Sequence, residues 1–185
     1  MKITKLLQIV CLLMCIGISP MKSQDLKFCE DKKFKIVQFT DVHWKADSIA
    51  SEEAGERMSE VLDAEKPDLV IFTGDVIFGK PADKSMRCAL EPTIKRGIPF
   101  AVTFGNHDDE LGMSRKELYD FIKDMPGNLT SSVEGLSGVT NFILPVKASD
   151  GSKDAALLYV FDSHSYATLK GIKGYGWIKH DQVQW

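Results

Sequence analysis

The chain has 185 residues, 44% of them hydrophobic and 26% charged, the make-up of one soluble globular domain rather than of a disordered, collagen-like or polytopic membrane protein. Lysine and arginine number 23 against 26 acids, a net charge of -3, which argues against a surface built to neutralise a nucleic-acid backbone.

Residues 1–23 read as a secretory signal: Lys2 and Lys5, an apolar run from Leu6 to Ile18, then a polar exit ending at Ser23. The run is shorter than the about 20 residues that a bilayer span takes. It is uniformly apolar rather than periodic, which argues against a buried first helix. Lipid attachment at Cys15 is the weaker rival, because Met14 stands where a small residue is wanted. Removing the segment takes away three lysines, no acid, Cys11 and Cys15. The protein is therefore expected to be exported, periplasmic or secreted, with no membrane span left and residues 24–185 forming one domain. In an oxidising compartment Cys29 and Cys88 are either joined or left as thiols.

Phe34 to Thr40 is β-rich and ends abruptly in Asp41-Val42-His43-Trp44, which predicts a strand that delivers polar residues at its carboxyl end. Ile49, Ala54, Met58, Val61 and Leu62 recur on one side of a helix ending near Glu65, and Pro67 stops it. Asp68 to Thr73 is the second strand and runs into Gly74-Asp75. A helix over Pro81 to Arg96 follows, closed by Gly97. Ile98 to Phe104 is the third strand, emptying into Gly105-Asn106-His107-Asp108. Ser114-x-x-Glu117 is a capping box that opens a helix to about Met125. Three strand, polar loop, helix units predict an α/β fold.

Beyond Gly127 a Ser and Gly-rich loop leads to a hairpin, Val139 to Val146 and Ala155 to Phe161 around Asp150-Gly151. Asn128-Leu129-Thr130 matches a glycosylation acceptor, a pattern frequent enough by chance to carry little weight.

Asp41, His43, Asp75, Asn106 and His107 all lie at the carboxyl ends of successive predicted strands, where open α/β sheets place their ligands. Carboxylate, imidazole and amide donors without cysteine suit Mn, Fe, Zn or Mg and exclude a thiolate zinc site. In order and spacing, Asp41-x-His43, Gly74-Asp75 and Gly105-Asn106-His107-Asp108 resemble the first three motifs of the calcineurin-like metallophosphoesterase superfamily.

That resemblance implies an α/β/β/α sandwich with two mixed sheets and hydrolysis of phosphate esters by a water activated between two divalent or mixed-valence metal ions. It implies that Asp41 and His43 bind one ion, that Asp75 bridges and that Asn106 binds the other. His107 would be catalytic, at a phosphoryl or leaving-group oxygen, and Asp108 would fix its tautomer or serve as a plain turn acid.

Purple acid phosphatases carry tyrosine three residues past the bridging aspartate, where this chain has Phe78, so a ferric–tyrosinate colour is not expected. The stretches Leu158 to Ser163, Gly174 to Ile178 and Asp181 to Trp185 nevertheless look like the secreted, purple-acid-phosphatase-like branch. Among them Trp177 and Trp185 are expected in the core, and Tyr175 and His164 in a loop near the cleft. The later single His and Gly-His-x-His motifs do not appear, and His180 reads as a solvated helix residue. The chain is thus expected to be the N-terminal two thirds of such a domain, without its last strands. Two functions follow: an exported metal-dependent phosphoesterase, here a truncated copy with an incomplete site, or a non-catalytic exported module with a degraded metal site. The substrate is a small phosphate ester whose class, like the oligomeric state, the residues leave open.

Overall fold

The computed structural model describes residues 25–185; the signal-sequence expectation for residues 1–23 lies outside them. The expected α/β fold with two sheets is present, one parallel and one antiparallel. Strands β1 (Ile36–Phe39), β2 (Leu69–Thr73) and β3 (Phe100–Thr103) form a parallel sheet in the order β1-β2-β3. Helices α1 (Ile49–Glu65) and α2 (Ala82–Lys95) connect them, and α3 (Arg115–Ile122) follows the third strand. Strands β4 (Phe142–Lys147) and β5 (Asp154–Val160) make the antiparallel hairpin, and a short α4 (His180–Gln184) follows.

Strand alternation sends β2 and β3 side chains to two different cores. Val70, Phe72, Phe100 and Val102 pack against Met58 and Leu62 of α1, Met86 and Leu90 of α2, and Leu118 and Ile122 of α3. Leu69 and Ala101 face the other way, onto Phe142, Leu144, Val146 and Val160 of the hairpin. The Thr103 hydroxyl donates across this second interface to the Phe161 carbonyl at 3.1 Å. The layers are therefore helices, parallel sheet and hairpin.

Helix α1 buries Met58 and Leu62 as expected, but its inward face is turned away from Ile49 and Val61. Ser51, Gly55, Met58 and Leu62 point inward, while Ile49 and Val61 are exposed. The cause is Trp44: a Cβ on Gly55 would lie 2.8 Å from its ring, so small residues admit the indole and turn the helix accordingly. The capping box opening α3 is present as predicted, with the Ser114 N–H donating to Glu117 at 2.8 Å.

Asn128 closes the same helix. Its amide donates to the Ile122 carbonyl at 2.8 Å and its oxygen accepts from the Thr130 N–H at 3.0 Å, so the Asn-Leu-Thr triplet is an Asx-type turn. Among the described residues Cys29 and Cys88 are free thiols, one exposed and one half-buried, and no helix is long and apolar enough to cross a membrane.

Trp177 and Trp185 are not core residues. They are 39% and 42% exposed, because buried polar groups rather than indoles pin the C-terminal segment. Gln182, 1% exposed, donates to Asn141 at 2.7 Å and to the Asp162 carbonyl at 2.8 Å, and accepts from the Lys179 N–H at 2.7 Å. Asp162 is fully buried; it takes two bonds from Arg115, at 2.6 and 3.2 Å, and others from the Val139 and His164 N–H groups. Arg115 also donates to the Phe104 and Gly105 carbonyls at 2.8 and 2.7 Å, which ties this polar knot to the loop after β3.

Candidate metal centre

The loops that leave β1 and β2 stay paired beyond the strands. Asp41 N–H donates to the Gly74 carbonyl at 3.1 Å and His43 N–H to the Asp75 carbonyl at 2.9 Å. Asp41, His43 and Asp75 all have left-handed backbone, with φ of 52°, 50° and 51°. Aspartate and histidine are among the few non-glycine residues that enter this region often, and their clustering marks a place where the surrounding structure holds strain. Gly74, at φ 103°, lies against Gly105, whose backbone a Cβ on residue 74 would meet at 2.9 Å.

Gly105 makes room for a carboxylate. A Cβ there would lie 2.1 Å from Asp75 Oδ1, and that oxygen accepts the His107 N–H at 2.9 Å. The other oxygen, Oδ2, is 3.4 Å from His43 Nε2, which is itself 4.0 Å from Asp41 Oδ1. His43, Asp75 and His107 each offer a donor atom within 4.8 Å of the others. The His43 imidazole and the part-buried Asp75 carboxylate, with the Asp41 carboxylate beside them, are a donor set that fits Zn, Mn or Fe, and the His107 ring stands at its edge. The two rings meet edge-on with centroids 5.3 Å apart, and Phe78 backs His107 at 4.7 Å.

Asn106 is held at the rim. Its side-chain amide donates to the Tyr166 hydroxyl at 3.2 Å and its backbone carbonyl accepts from the Ser165 hydroxyl at 3.1 Å. Asp108 is not where a tautomer-fixing acid is needed. Its carboxylate is buried and accepts from the Ile77 and Gly105 N–H groups at 2.9 and 2.7 Å, stapling the loop after β3 to the loop after β2. Burial pushes its pKa up to about 6, helped by the Asp75 charge and opposed by those two N–H donors.

The contact expected of Asp108 belongs to Glu110, whose Oε2 lies 2.9 Å from His107 Nδ1. The hydrogen bond to Glu110 raises the His107 pKa against a smaller desolvation effect. Glu110 in turn accepts from the Tyr166 hydroxyl at 2.5 Å, and that bond, then the one to His107, lowers its own pKa. Sequence reasoning passed over both residues. The i,i+3 spacing of His107 and Glu110 was a usable signal, whereas Tyr166 had none.

Tyr175 stacks on Tyr166, centroids 5.9 Å apart, which puts it at the rim as expected. His164 does not join the cluster; its Nε2 is 3.1 Å from Gln182 in the polar knot. His180 is an exposed α4 residue, as its sequence context suggested. A cleft of about 630 Å³ between α1 and α2 holds none of the clustered residues.

The sequence pattern of the family described as calcineurin-like phosphoesterase matches residues 34–183. The chain is 32% identical to "Probable inactive purple acid phosphatase 29" of Arabidopsis thaliana, over 94% of this chain and 52% of that protein. It is 33% identical to "Phosphatase DCR2" of Saccharomyces cerevisiae, over 90% of this chain and 33% of the yeast protein. "Probable inactive purple acid phosphatase 14" of Arabidopsis thaliana is 28% identical, over 99% of this chain and 54% of its own length. The chain thus spans about half the length of the two plant relatives and a third of the yeast one.

Proposed function

The chain belongs to the calcineurin-like phosphoesterase family, and from that premise we propose that it is an exported metal-dependent hydrolase of phosphate esters. The observation that carries the reading is the convergence of His43, Asp75 and His107, from the ends of three adjacent strands, to within 4.8 Å. In this reading Asp41, His43 and Asp75 would hold one ion, and Asp75 with the Asn106 amide oxygen, whose amide nitrogen is taken by Tyr166, would hold a second. Two bound ions would supply Lewis acidity toward phosphoryl oxygens and a nucleophilic water at neutral pH.

The chain's own residues do the rest. The His107 N–H keeps Asp75 Oδ1 in place, so that the carboxylate presents Oδ2 toward His43. With Nδ1–H on Glu110, the His107 ring takes up its second proton at Nε2, and this imidazolium hydrogen-bonds a phosphoryl oxygen or protonates the departing alkoxide. Asp108 acts through the loops it staples together. Export rests on the Leu6 to Ile18 run.

The test is metal binding and phosphate release from an aryl phosphate with added Mn or Zn. Asp75→Asn is expected to lose metal with its fold intact. His107→Ala is expected to keep metal while turnover falls by about 10²–10⁴-fold, the value of acid–base help. Equal metal loss in both variants overturns this division of roles. A second reading, a non-catalytic metal-binding module, draws on the exposure of Asp41, 64% at its side chain, and on relatives whose names carry the word inactive. Metal uptake by the wild type with no phosphate release decides for it.

A further inference from the structure

His107 is surrounded by Phe78, His43, Asp75 and Glu110, and these neighbours offer its ring very different partners. Phe78 meets the ring at 60° and offers no lone-pair acceptor, and Asp75 Oδ1 takes the His107 backbone N–H rather than a ring nitrogen. Asp108, adjacent in sequence, is turned away onto the Ile77 and Gly105 N–H groups. Glu110 alone meets Nδ1, at 2.9 Å. An ionised carboxylate only accepts hydrogen bonds, so this contact requires the proton on Nδ1.

Glu110 is itself held. Its other oxygen accepts from the Tyr166 hydroxyl, which also accepts from the Asn106 amide. Tyr166 is fixed by stacking on Tyr175 and by a small ladder: Ala167 N–H to the Gly174 carbonyl at 2.9 Å and Gly176 N–H to the Ser165 carbonyl at 3.0 Å.

We propose that Glu110, gripped by Tyr166, is a positioning residue that holds neutral His107 as its Nδ1–H tautomer and so keeps Nε2 free as the working nitrogen. The usefulness of that nitrogen rests on the phosphoesterase reading above; the tautomer does not. Its physical logic is that of a histidine whose second nitrogen is fixed by the bond its first one makes. The segment Ser165 to Gly176, far along the chain from the three metal-ligand loops, thereby sets the state of the ring at their centre.

The experiment records two-bond 1H–15N correlations of the full chain labelled at histidine, without metal or substrate, at a pH where the ring is neutral. The loss of signals in His107→Gln identifies the residue. In the wild type the Nδ1–H form is expected to dominate. Glu110→Ala is expected to turn it into the minority form, Tyr166→Phe to lower it partway, and Glu110→Gln, whose amide oxygen still accepts, to restore it. Backbone amide dispersion verifies that each variant is folded. A dominant Nε2–H form in the wild type overturns the proposal, and so does an unchanged Nδ1–H population in Glu110→Ala. Should Glu110→Ala fail to fold, the wild-type spectrum and Tyr166→Phe decide, an unchanged population in the latter also counting against. Failure of the chain to bind metal or release phosphate would sink the phosphoesterase reading and leave this measurement standing.

Discussion

Gly105 is the residue on which the metal centre closes most tightly. The place of its missing Cβ is filled by the Asp75 carboxylate, which a methyl group would displace from both His43 and the His107 N–H. Gly105→Ala is therefore expected to lower Mn or Zn affinity by about 10–100-fold, the usual effect of disturbing a ligand's support, and to lower the melting temperature too, because the methyl also meets the Asp75 backbone N at 2.5 Å. Titration calorimetry beside a circular-dichroism melt checks both halves. That His43, Asp75 and His107 converge could be read from the sequence because each follows a strand that announces itself by composition, and strand ends are where a sheet gathers its ligands. The partner of His107 could not. Asp108 is next to it in the chain, yet its oxygens are consumed by backbone donors, and the acid that reaches the ring stands three residues on, across a turn closed by the Glu110 N–H and the His107 carbonyl.

Among the elements, the C-terminal segment shows how far a polar knot can replace apolar packing. Asp162 bonds Arg115, Val139 and His164, and Gln182 binds the backbone of Asp162 from the other side. Burial pushes the Asp162 pKa up, but the Arg115 hydrogen bond and charge and the N–H donors outweigh it and hold the carboxyl below its ordinary value. A carboxyl lowered in the folded state contributes stability that is complete above its unfolded value, about pH 4, and is lost as pH falls through the folded value. Urea midpoints should thus drop steeply below about pH 4 in the wild type. Asp162→Asn is expected to flatten that acid limb and to cost about 3–5 kcal/mol at neutral pH, because it leaves the mostly buried Arg115 with only the more distant Asp109 carboxylate, at 3.7 Å, as counter-charge. The knot explains one misread element and a glycine another. Tryptophans near a chain end suggest core, but Trp177 and Trp185 stay half outside because Gln182 does the anchoring. On α1 the inward face is set by the room Gly55 leaves for Trp44, a fit that periodicity does not encode.

For the molecule as a whole, the hairpin has one covered face and one bare one. Ile143, Leu157 and Tyr159 are exposed on it, and Tyr159, Phe161 and Trp185 form an aromatic group beside them, with centroids 6.1 to 6.4 Å apart. Such a surface favours self-association. Light scattering is expected to show oligomers of this chain, and the double variant Leu157→Lys, Tyr159→Lys to shift them toward monomer. The fold class was readable because helix and strand periods alternate plainly. This bare face was not, since a single strand pattern does not say whether anything lies beyond it. The metal centre belongs to neither apolar core. Its aspartates stand in left-handed loop conformations that asparagine and glycine also accept. A single base change from an aspartate codon can therefore empty the centre while the layers beneath remain intact. A working chain and a silent one of this architecture can lie one substitution apart, so loss of chemistry in a lineage need not be followed by loss of the protein.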